Sequence, residues 1–231
     1  MSQATQTHKD RDAEVGTSQA LKVQAGKVLI LASTSIYRKA LLERITQGFL
    51  QVAPRVDEDQ RPGEAVSAMA LRLAIQKADE VARRYPDALV IGSDQAATLD
   101  GKLAIGKPGY RQAAVEQLRR ASGQTMYFHT ALALVCKSRT AAARYERSAV
   151  VETVVRFRNL SLAMIEHYLD REPAFECAGA AKCEGLGIVL MESIQSDDPT
   201  ALIGLPLIRL TEFLSDAGYA LLCPDPSSLR A

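Results

Sequence analysis

The 231-residue sequence lacks a large net charge, a long apolar run and tryptophan. Lysine and arginine together number 28 against 27 aspartates and glutamates, so no overall positive field favours a nucleic acid or an acidic membrane surface. No apolar run approaches the roughly 20 residues that span a bilayer. We therefore expect neither a nucleic-acid nor a membrane partner, and any anionic ligand must be held by local charges.

Patterns typical of metal sites and disulfides are also missing. Cys136, Cys177, Cys183 and Cys223 form no CxxC pair and have no histidine at zinc-site spacing, and the three histidines are scattered. Reduced thiols in a cytoplasmic protein are the expected state. Residues 1–26 contain no apolar core segment that would indicate a secretory signal, so we predict a mobile N-terminal extension there.

The composition that remains is that of an ordinary globular domain, with 47% hydrophobic and 24% charged residues. Segments with strand and helix patterns alternate at first and then give way to paired strands. This order predicts an α/β domain with a mixed sheet. The predicted domain covers residues 27–219, and a tail rich in proline and serine covers residues 220–231.

The predicted fold is organised around residues 89–95. This short apolar run, bounded by Pro86 and by Gly92, predicts a buried strand whose carboxyl end presents Asp94. In open α/β sheets ligands bind beyond the carboxyl ends of the strands, where an acid can hold a metal or activate water. The alternative is that Asp94 only caps a turn.

A strand, a hydroxyl-rich turn and a helix follow one another over residues 28–45. Ser33 begins the turn, Ile36 begins the apolar face of the helix, and Arg38 and Lys39 lie in its first turn. Cations at this position oppose the helix dipole, so a bound phosphate explains them better than helix stability does. A serine-capped helix with solvent-facing basic residues is the alternative.

Acidic and basic residues flank the next predicted helix. The strand predicted over 49–56 leads into an acidic run at 57–59, which is either a solvated loop or, if it faces Asp94, part of a magnesium site. The helix predicted over 64–84 places Lys77 near its buried face. A lysine there either extends its ammonium to solvent or reaches an anion.

The second half of the chain adds a candidate cation and a glycine-rich segment. Lys107 lies between a glycine and a proline, which suits a rigidly presented ammonium. The small residues around 184–187 either let the backbone approach a ligand or form a plain tight turn. The other predicted elements are a hairpin turn at 100–101, helices over 110–121, after Ser161 and after Pro206, and strands over 124–135, 150–157 and 188–194.

A set of short motifs, in this order, resembles the Maf-type nucleotide pyrophosphatases. They are LILASTS at 29–35 with Arg38, VDE at 56–58, IGSD at 91–94, GKP at 106–108, SG at 122–123, AG at 178–179 and GLP at 204–206. One tripeptide would be weak evidence, but the ordered set over residues 27–219 is specific. The resemblance implies an elongated mixed sheet flanked by helices with a central cleft, as in the Maf and inosine-triphosphate pyrophosphatase group.

The resemblance also implies hydrolysis of a nucleoside triphosphate to the monophosphate and pyrophosphate, with Mg²⁺ or Mn²⁺ as cofactor. Asp94 matches the family's catalytic proton acceptor, and Glu58 matches an acid near the metal. We expect Glu58 and Asp94 to form the metal site, and whether Asp94 binds the metal directly stays open. A homodimer is left open. The positions that match phosphate-binding residues are Arg38, Lys77 and Lys107, and the hydroxyl-rich turn adds Ser33 as a phosphate-binding candidate.

Three further positions match the family's specificity set. Tyr37, Gln95 and Glu184 resemble the 7-methyl-GTP branch rather than the dTTP and UTP enzymes. Methylation at N7 makes guanine positive, which favours an aromatic face and a carboxylate as its neighbours. Two alternatives stay open: a dTTP or UTP pyrophosphatase of the same family, and a nucleotide-binding regulator of cell division that lacks useful turnover.

Overall fold

The computed structural model describes residues 27–219 and 221–222. The predicted extension 1–26 and most of the predicted tail lie outside the described residues. The strands are β1 (Leu29–Ala32), β2 (Phe49–Val52), β3 (Leu89–Thr98), β4 (Thr125–Cys136), β5 (Tyr145–Phe157) and β6 (Met191–Ser196). The helices are α1 (Ile36–Leu42), α2 (Val66–Arg84), α3 (Arg111–Ala121), α4 (Leu162–Arg171) and α5 (Leu207–Asp216).

The six strands form one mixed sheet in the order β2-β1-β3-β4-β5-β6. The strand β1 pairs in parallel with β2 and β3. From β3 to β6, each strand pairs with the next in antiparallel fashion. The α/β class with a mixed sheet and flanking helices is thereby confirmed. Within the described ranges, no helix is both long and apolar enough to cross a membrane.

Both faces of the parallel part are covered, which explains why β1 is apolar at every position. Its residues alternate between two cores, one shared with α1 and α5 and the other with α2. A third core, under α3 and α4, covers the first residues of β4 and the last residues of β5. The helix α2 lies so close to β3 that a Cβ on Gly92 would be 2.2 Å from the backbone oxygen of Ala74.

The strand β3 is longer than predicted. It continues to Thr98 because β4 pairs with it past the end of β1, with Asp94 opposite Ala131 in the ladder. The parallel partner β1 stops at Ala32, opposite Gly92. Asp94 therefore lies within a strand, but just beyond the end of the parallel part of the sheet, where the general rule for α/β ligand sites places it.

Two helices begin at a capping serine, one ends at a glycine, and the predicted start of the last strand is corrected. Ser35 and Ser161 each accept a hydrogen bond from a backbone N–H in the first turn of the helix that follows, and Gly123 has a φ of +68° just past α3. Residues 186–190, predicted in part as strand, form a 3-10 turn before β6. Ile36, predicted on the apolar face of α1, is 70% exposed, and the residues that this helix buries are Leu41 and Leu42.

Candidate active site

A buried lysine joins two carboxylates at the point where the parallel part of the sheet ends. The ammonium of Lys77, from α2, donates to Asp94 Oδ1 at 2.6 Å and lies 2.8 Å from Glu58 Oε1. Lys77 and Asp94 are 4% and 6% exposed, whereas the Glu58 side chain is 60% exposed. A buried ammonium needs such partners, because an unpaired buried charge is strongly unfavourable. Lys77 therefore reaches an anionic group rather than solvent.

The surroundings of Asp94 change its proton affinity. Burial raises the pKa of the Asp94 carboxyl above its ordinary value, because low-polarity surroundings disfavour the charged form. The positive charges of Lys77 and Arg38 oppose this rise, and the negative charge of Glu58 adds to it. Asp94 is consequently a stronger proton acceptor than an aspartate in free solution.

Arg38 enters this group from the first turn of α1. Its Nε donates to the backbone oxygen of Gly204 at 2.9 Å, and its Nη1 donates to Ser33 Oγ at 3.4 Å. The guanidinium has five N–H groups, so others remain for an anion. Lys39 instead forms an exposed ion pair with a glutamate one turn further on, at 3.6 Å. Only one of the two predicted basic residues in this turn faces Asp94.

Sequence reasoning missed Asp198, which fixes the turn that carries Gly204. Asp198 is 2% exposed, and its carboxylate accepts from the backbone N–H of Ile208 at 2.7 Å, in the first turn of α5. The turn thus presents the Gly204 oxygen to Arg38 Nε and to Ser93 Oγ, each at 2.9 Å. An acid this far ahead of a helix is outside the usual capping spacing, so no sequence pattern identifies it.

Gln95 lies on the opposite face of β3 from Asp94, because successive strand residues alternate between faces. Its amide nitrogen, which carries two N–H groups, lies within hydrogen-bond distance of the backbone oxygens of Ala201 and Leu202, both at 3.0 Å, and of Thr130 Oγ1 at 2.9 Å. Three acceptors around one nitrogen fix the orientation of the amide. The amide oxygen of Gln95 therefore points away from them and can accept a hydrogen bond from a ligand.

Tyr37 and Glu184 belong to a second group of side chains, around Cys177. The ammonium of Lys182, a residue that sequence reasoning missed, lies 5.1 Å from the centre of the Tyr37 ring, within cation–π range. Burial raises the pKa of the Cys177 thiol and the negative charge of Glu184 adds to the rise, while Lys182 opposes it. An aromatic ring, a cation and an exposed carboxylate thus converge on one side of the molecule.

Lys107 lies apart from the Asp94 group. Its side chain is 66% exposed, and its ammonium is 3.6 Å from the carboxylate of Glu176. Its charge also opposes the rise in the pKa of the Cys177 thiol, which places it near the second group. The predicted phosphate-binding cations are therefore divided between the two groups.

Glu58 and Asp94 are the carboxylates that could hold a divalent cation, since both approach the same ammonium of Lys77. In the part of the chain that the structure describes, no cluster of three or more Asp, Glu, His or Cys side chains forms a complete metal site. Two carboxylates suit Mg²⁺ or Mn²⁺ when water and phosphate oxygens supply the other ligands. The donor set thus fits a metal shared with a phosphorylated ligand.

Comparisons with known proteins show which sequences this chain resembles. Similar proteins include the 7-methyl-GTP pyrophosphatase of Xanthomonas axonopodis pv. citri, 55% identical over 191 residues, a match that covers 83% of this chain and 97% of that protein. The 7-methyl-GTP pyrophosphatases of Polaromonas sp. and Bordetella pertussis are 51% and 49% identical, over 84% and 86% of this chain and 86% and 96% of those proteins.

Among solved structures, the Staphylococcus aureus Ham1 protein matches with a TM-score of 0.40 and 14% identity, over 58% of this chain and 73% of that chain. A similarity this low carries no information about the site. The family model described as Maf-like protein matches residues 28–217. This match spans every described strand and helix. The chain therefore belongs to the Maf family.

Proposed function

We propose that this protein is a hydrolase that cleaves 7-methyl-GTP to the nucleoside monophosphate and pyrophosphate, with a house-cleaning role toward modified nucleotides. One observation carries the proposal: the buried pair of Asp94 and Lys77, flanked by Arg38 and Glu58. A carboxylate able to accept a proton, surrounded by cations, suits water attack on a phosphate group. The names of relatives at about half identity supply the substrate.

In the proposed reaction Asp94 orients a water molecule and accepts its proton. The water oxygen attacks the α-phosphorus, the bond from that phosphorus to the α–β bridging oxygen breaks, and pyrophosphate leaves. Asp94 Oδ1 is held by Lys77, which leaves Oδ2 for the water. Because burial raises the pKa of Asp94, proton transfer to it is easier than to an ordinary aspartate.

The cations stabilise charge on the phosphates as the bond breaks, which is the main source of catalysis in phosphoryl transfer. Arg38 is held by the Gly204 oxygen and Ser33, so its remaining N–H groups are directed before the substrate arrives. The ammonium of Lys77 has three N–H groups, and its contacts with Glu58 and Asp94 occupy two of them. One N–H group therefore remains for a phosphate oxygen. Lys107, which is exposed and close to the second group, is proposed as a further phosphate-binding cation.

Mg²⁺ or Mn²⁺, held by Glu58 and phosphate oxygens beside Asp94, would supply neutralisation of the substrate's charge. The two carboxylates alone are too few for tight metal binding. We therefore expect the metal to bind mainly with the nucleotide.

Base recognition is assigned to the second group and to Gln95. The ring of Tyr37 already has the ammonium of Lys182 near it, so this aromatic face attracts cations. A 7-methylguanine base is itself positive and would replace that ammonium on the ring. Glu184, which is exposed, would accept from the paired N–H groups of the guanine edge, and the Gln95 oxygen supplies a further acceptor.

The proposal includes a cytoplasmic location. Cys136, Cys177 and Cys183 are unpaired in the described residues, as expected for a reducing compartment. A homodimer, left open by the family resemblance, is tested by sedimentation of the purified protein.

The test is pyrophosphate release from 7-methyl-GTP, GTP, dTTP, UTP, CTP and ATP, measured with Mg²⁺ and with Mn²⁺. We expect the highest kcat/KM for 7-methyl-GTP. A preference for dTTP or UTP would keep the reaction and contradict the base assignment. Tight binding of these nucleotides without release from any of them would replace the enzyme with a nucleotide sensor.

A further inference from the structure

The segment between β2 and α2 carries Glu58 and has no strand or helix of its own over residues 53–65. Glu58 is also the most exposed member of the Asp94 group. The only contact of its carboxylate among the described ion pairs is with Lys77. Its position therefore depends on whatever holds the segment against the rest of the protein.

Arg72, on α2, holds this segment at two points beyond Glu58. Its Nε and Nη2 donate to the two carboxylate oxygens of Glu64 at 2.6 and 2.7 Å, a two-pronged pair. The same Nη2 donates to the backbone oxygen of Asp59 at 3.0 Å. Asp59 directly follows Glu58, so this contact acts on the backbone next to the acid.

The pair of Arg72 and Glu64 is partly shielded from water. The two side chains are 15% and 12% exposed. The hydrogen bonds from Arg72 hold the pKa of Glu64 down at about 2, so Glu64 stays ionised through the working pH range. A fourth contact, from Arg72 Nη1 to Gln76 Oε1 at 3.1 Å, fixes the guanidinium against its own helix.

Gln60 connects the same segment to the hairpin that precedes Lys107. Its amide nitrogen donates to the backbone oxygens of Glu64 and Lys102 at 2.7 and 2.8 Å. Its amide oxygen accepts from the backbone N–H of Ala104 at 3.3 Å. The segment is thus anchored to the hairpin through Gln60 and to α2 on both sides of Glu58, through Arg72 after it and through Glu80 and Arg84 before it.

From these contacts we infer that Arg72 is a positioning residue that keeps Glu58 opposite Lys77 and Asp94. The inference rests on the proposed function and adds a residue to it that touches neither substrate nor the reacting atoms. The helix α2 carries both Arg72 and Lys77, so it serves as a common frame for the acid and its partner. A lysine cannot replace the fork of Arg72, because an ammonium is a point donor without its planar geometry.

The first test is a double-mutant cycle with Arg72→Met and Glu58→Gln. Alone, Arg72→Met should lower kcat/KM about 10- to 100-fold, as loss of a residue that orients a site ligand commonly does. In the Glu58→Gln background it should cost less than about twofold, because the residue it positions has already lost its charge. The matched control is Arg83→Met, an exposed arginine on the same helix whose nearest carboxylate is 3.8 Å away, and it should retain activity.

A second measurement does not depend on turnover. Hydrogen exchange of the amides in residues 55–64 should be faster in Arg72→Met than in wild type, with the amides of β3 unchanged. Arg72→Lys and Glu64→Gln keep more of the local packing and should give exchange rates and activities between those of wild type and Arg72→Met. They replace Arg72→Met in both tests if that variant does not fold.

The mutant cycle and the hydrogen-exchange measurement test the role of Arg72 separately from the proposed enzymatic function. Losses that multiply in the double variant, or exchange over 55–64 that matches wild type, would overturn the positioning role. A wild-type protein with no pyrophosphatase activity would refute the proposed function, while the exchange data would still decide whether Arg72 orders the segment.

Discussion

The ammonium of Lys77 and the carboxylate of Asp94 form a buried ion pair at 2.6 Å, between a helix and the strand against which it packs. Neither residue is more than 6% exposed. Burial costs both charges their hydration, and the pair compensates only when each partner is present. The pair is therefore sensitive to a change in either residue, which makes its role testable.

Asp94→Asn should lower pyrophosphate release by at least roughly 100-fold, because the amide cannot accept the proton of the attacking water. The amide has nearly the shape of the carboxylate and can still accept from Lys77, so the fold should persist. Thermal unfolding monitored by circular dichroism checks this. Asp170→Asn, at an exposed residue of α4 that pairs with Arg111, is the control and should remain active. Normal turnover by folded Asp94→Asn would exclude the assignment.

Lys77→Met should move the acid limb of the kcat/KM profile to higher pH. Asp94 must be ionised to accept a proton, and Lys77 is the largest of the charges that oppose the rise in its pKa. Removing that charge raises the pKa further, so Asp94 loses its charge at a higher pH on acidification. Comparing both enzymes with one substrate cancels the titration of the substrate's own phosphates. Lys39→Met, in an exposed ion pair, should leave the limb in place; an unmoved limb in Lys77→Met would contradict the assignment.

The double change of Gln95→Thr and Glu184→Gln should lower the ratio of kcat/KM for 7-methyl-GTP to that for UTP by about tenfold or more. The double change removes a charged acceptor for the guanine edge, and a hydrogen bond to a charged group contributes about 1.5–3 kcal/mol. Pyrophosphate release from the two triphosphates under the same conditions measures the ratio. Glu192→Gln, an exposed carboxylate on β6 paired with Arg156, is the control. An unchanged ratio in the double variant would show that base selection lies elsewhere.

Gly92→Ala should destabilise the protein by about 1–3 kcal/mol, the usual cost of forcing extra atoms into a packed core. The new Cβ would be 2.2 Å from the Ala74 oxygen and 2.7 Å from the Ala78 nitrogen, which are backbone atoms of α2 and cannot move aside alone. Urea unfolding measures the loss. Gly106→Ala is the control, since a Cβ there would have nothing within 4 Å and the φ of Gly106 is not positive. Equal stability of the two variants would contradict the close contact of α2 and β3.

Several features of the fold followed from local sequence because their causes are local. A serine side chain can accept from the N–H groups of the helix that follows it, so the helix after Ser161 could be predicted, and a serine cap was an alternative for α1, where Ser35 provides it. Gly123 ends α3 because only glycine adopts its backbone conformation without strain. The largely apolar sequence of β4 reflects its two covered faces.

Other features depended on partners distant in sequence. The length of β3 was set by β4, which continues the ladder where β1 stops, so Asp94 lies within a strand and not at its end. The second group was also unforeseen in part, because Lys182 reaches Tyr37 across the fold. The same holds for Asp198, which caps α5 from a separate segment.

By itself, the sequence determined which residue types are available to the site and the local elements that carry them: Asp94 after an apolar run, Arg38 in the first turn of a helix, Lys77 on the buried side of another. Only the tertiary structure decided their relations. It turned Arg38 toward Asp94 and Lys39 toward solvent, surrounded the amide nitrogen of Gln95 with acceptors from other segments, and gave Glu58 its support from Arg72. The physical reason is that charge pairing and burial depend on distances between segments, which packing of the helices on the sheet fixes and local sequence does not encode.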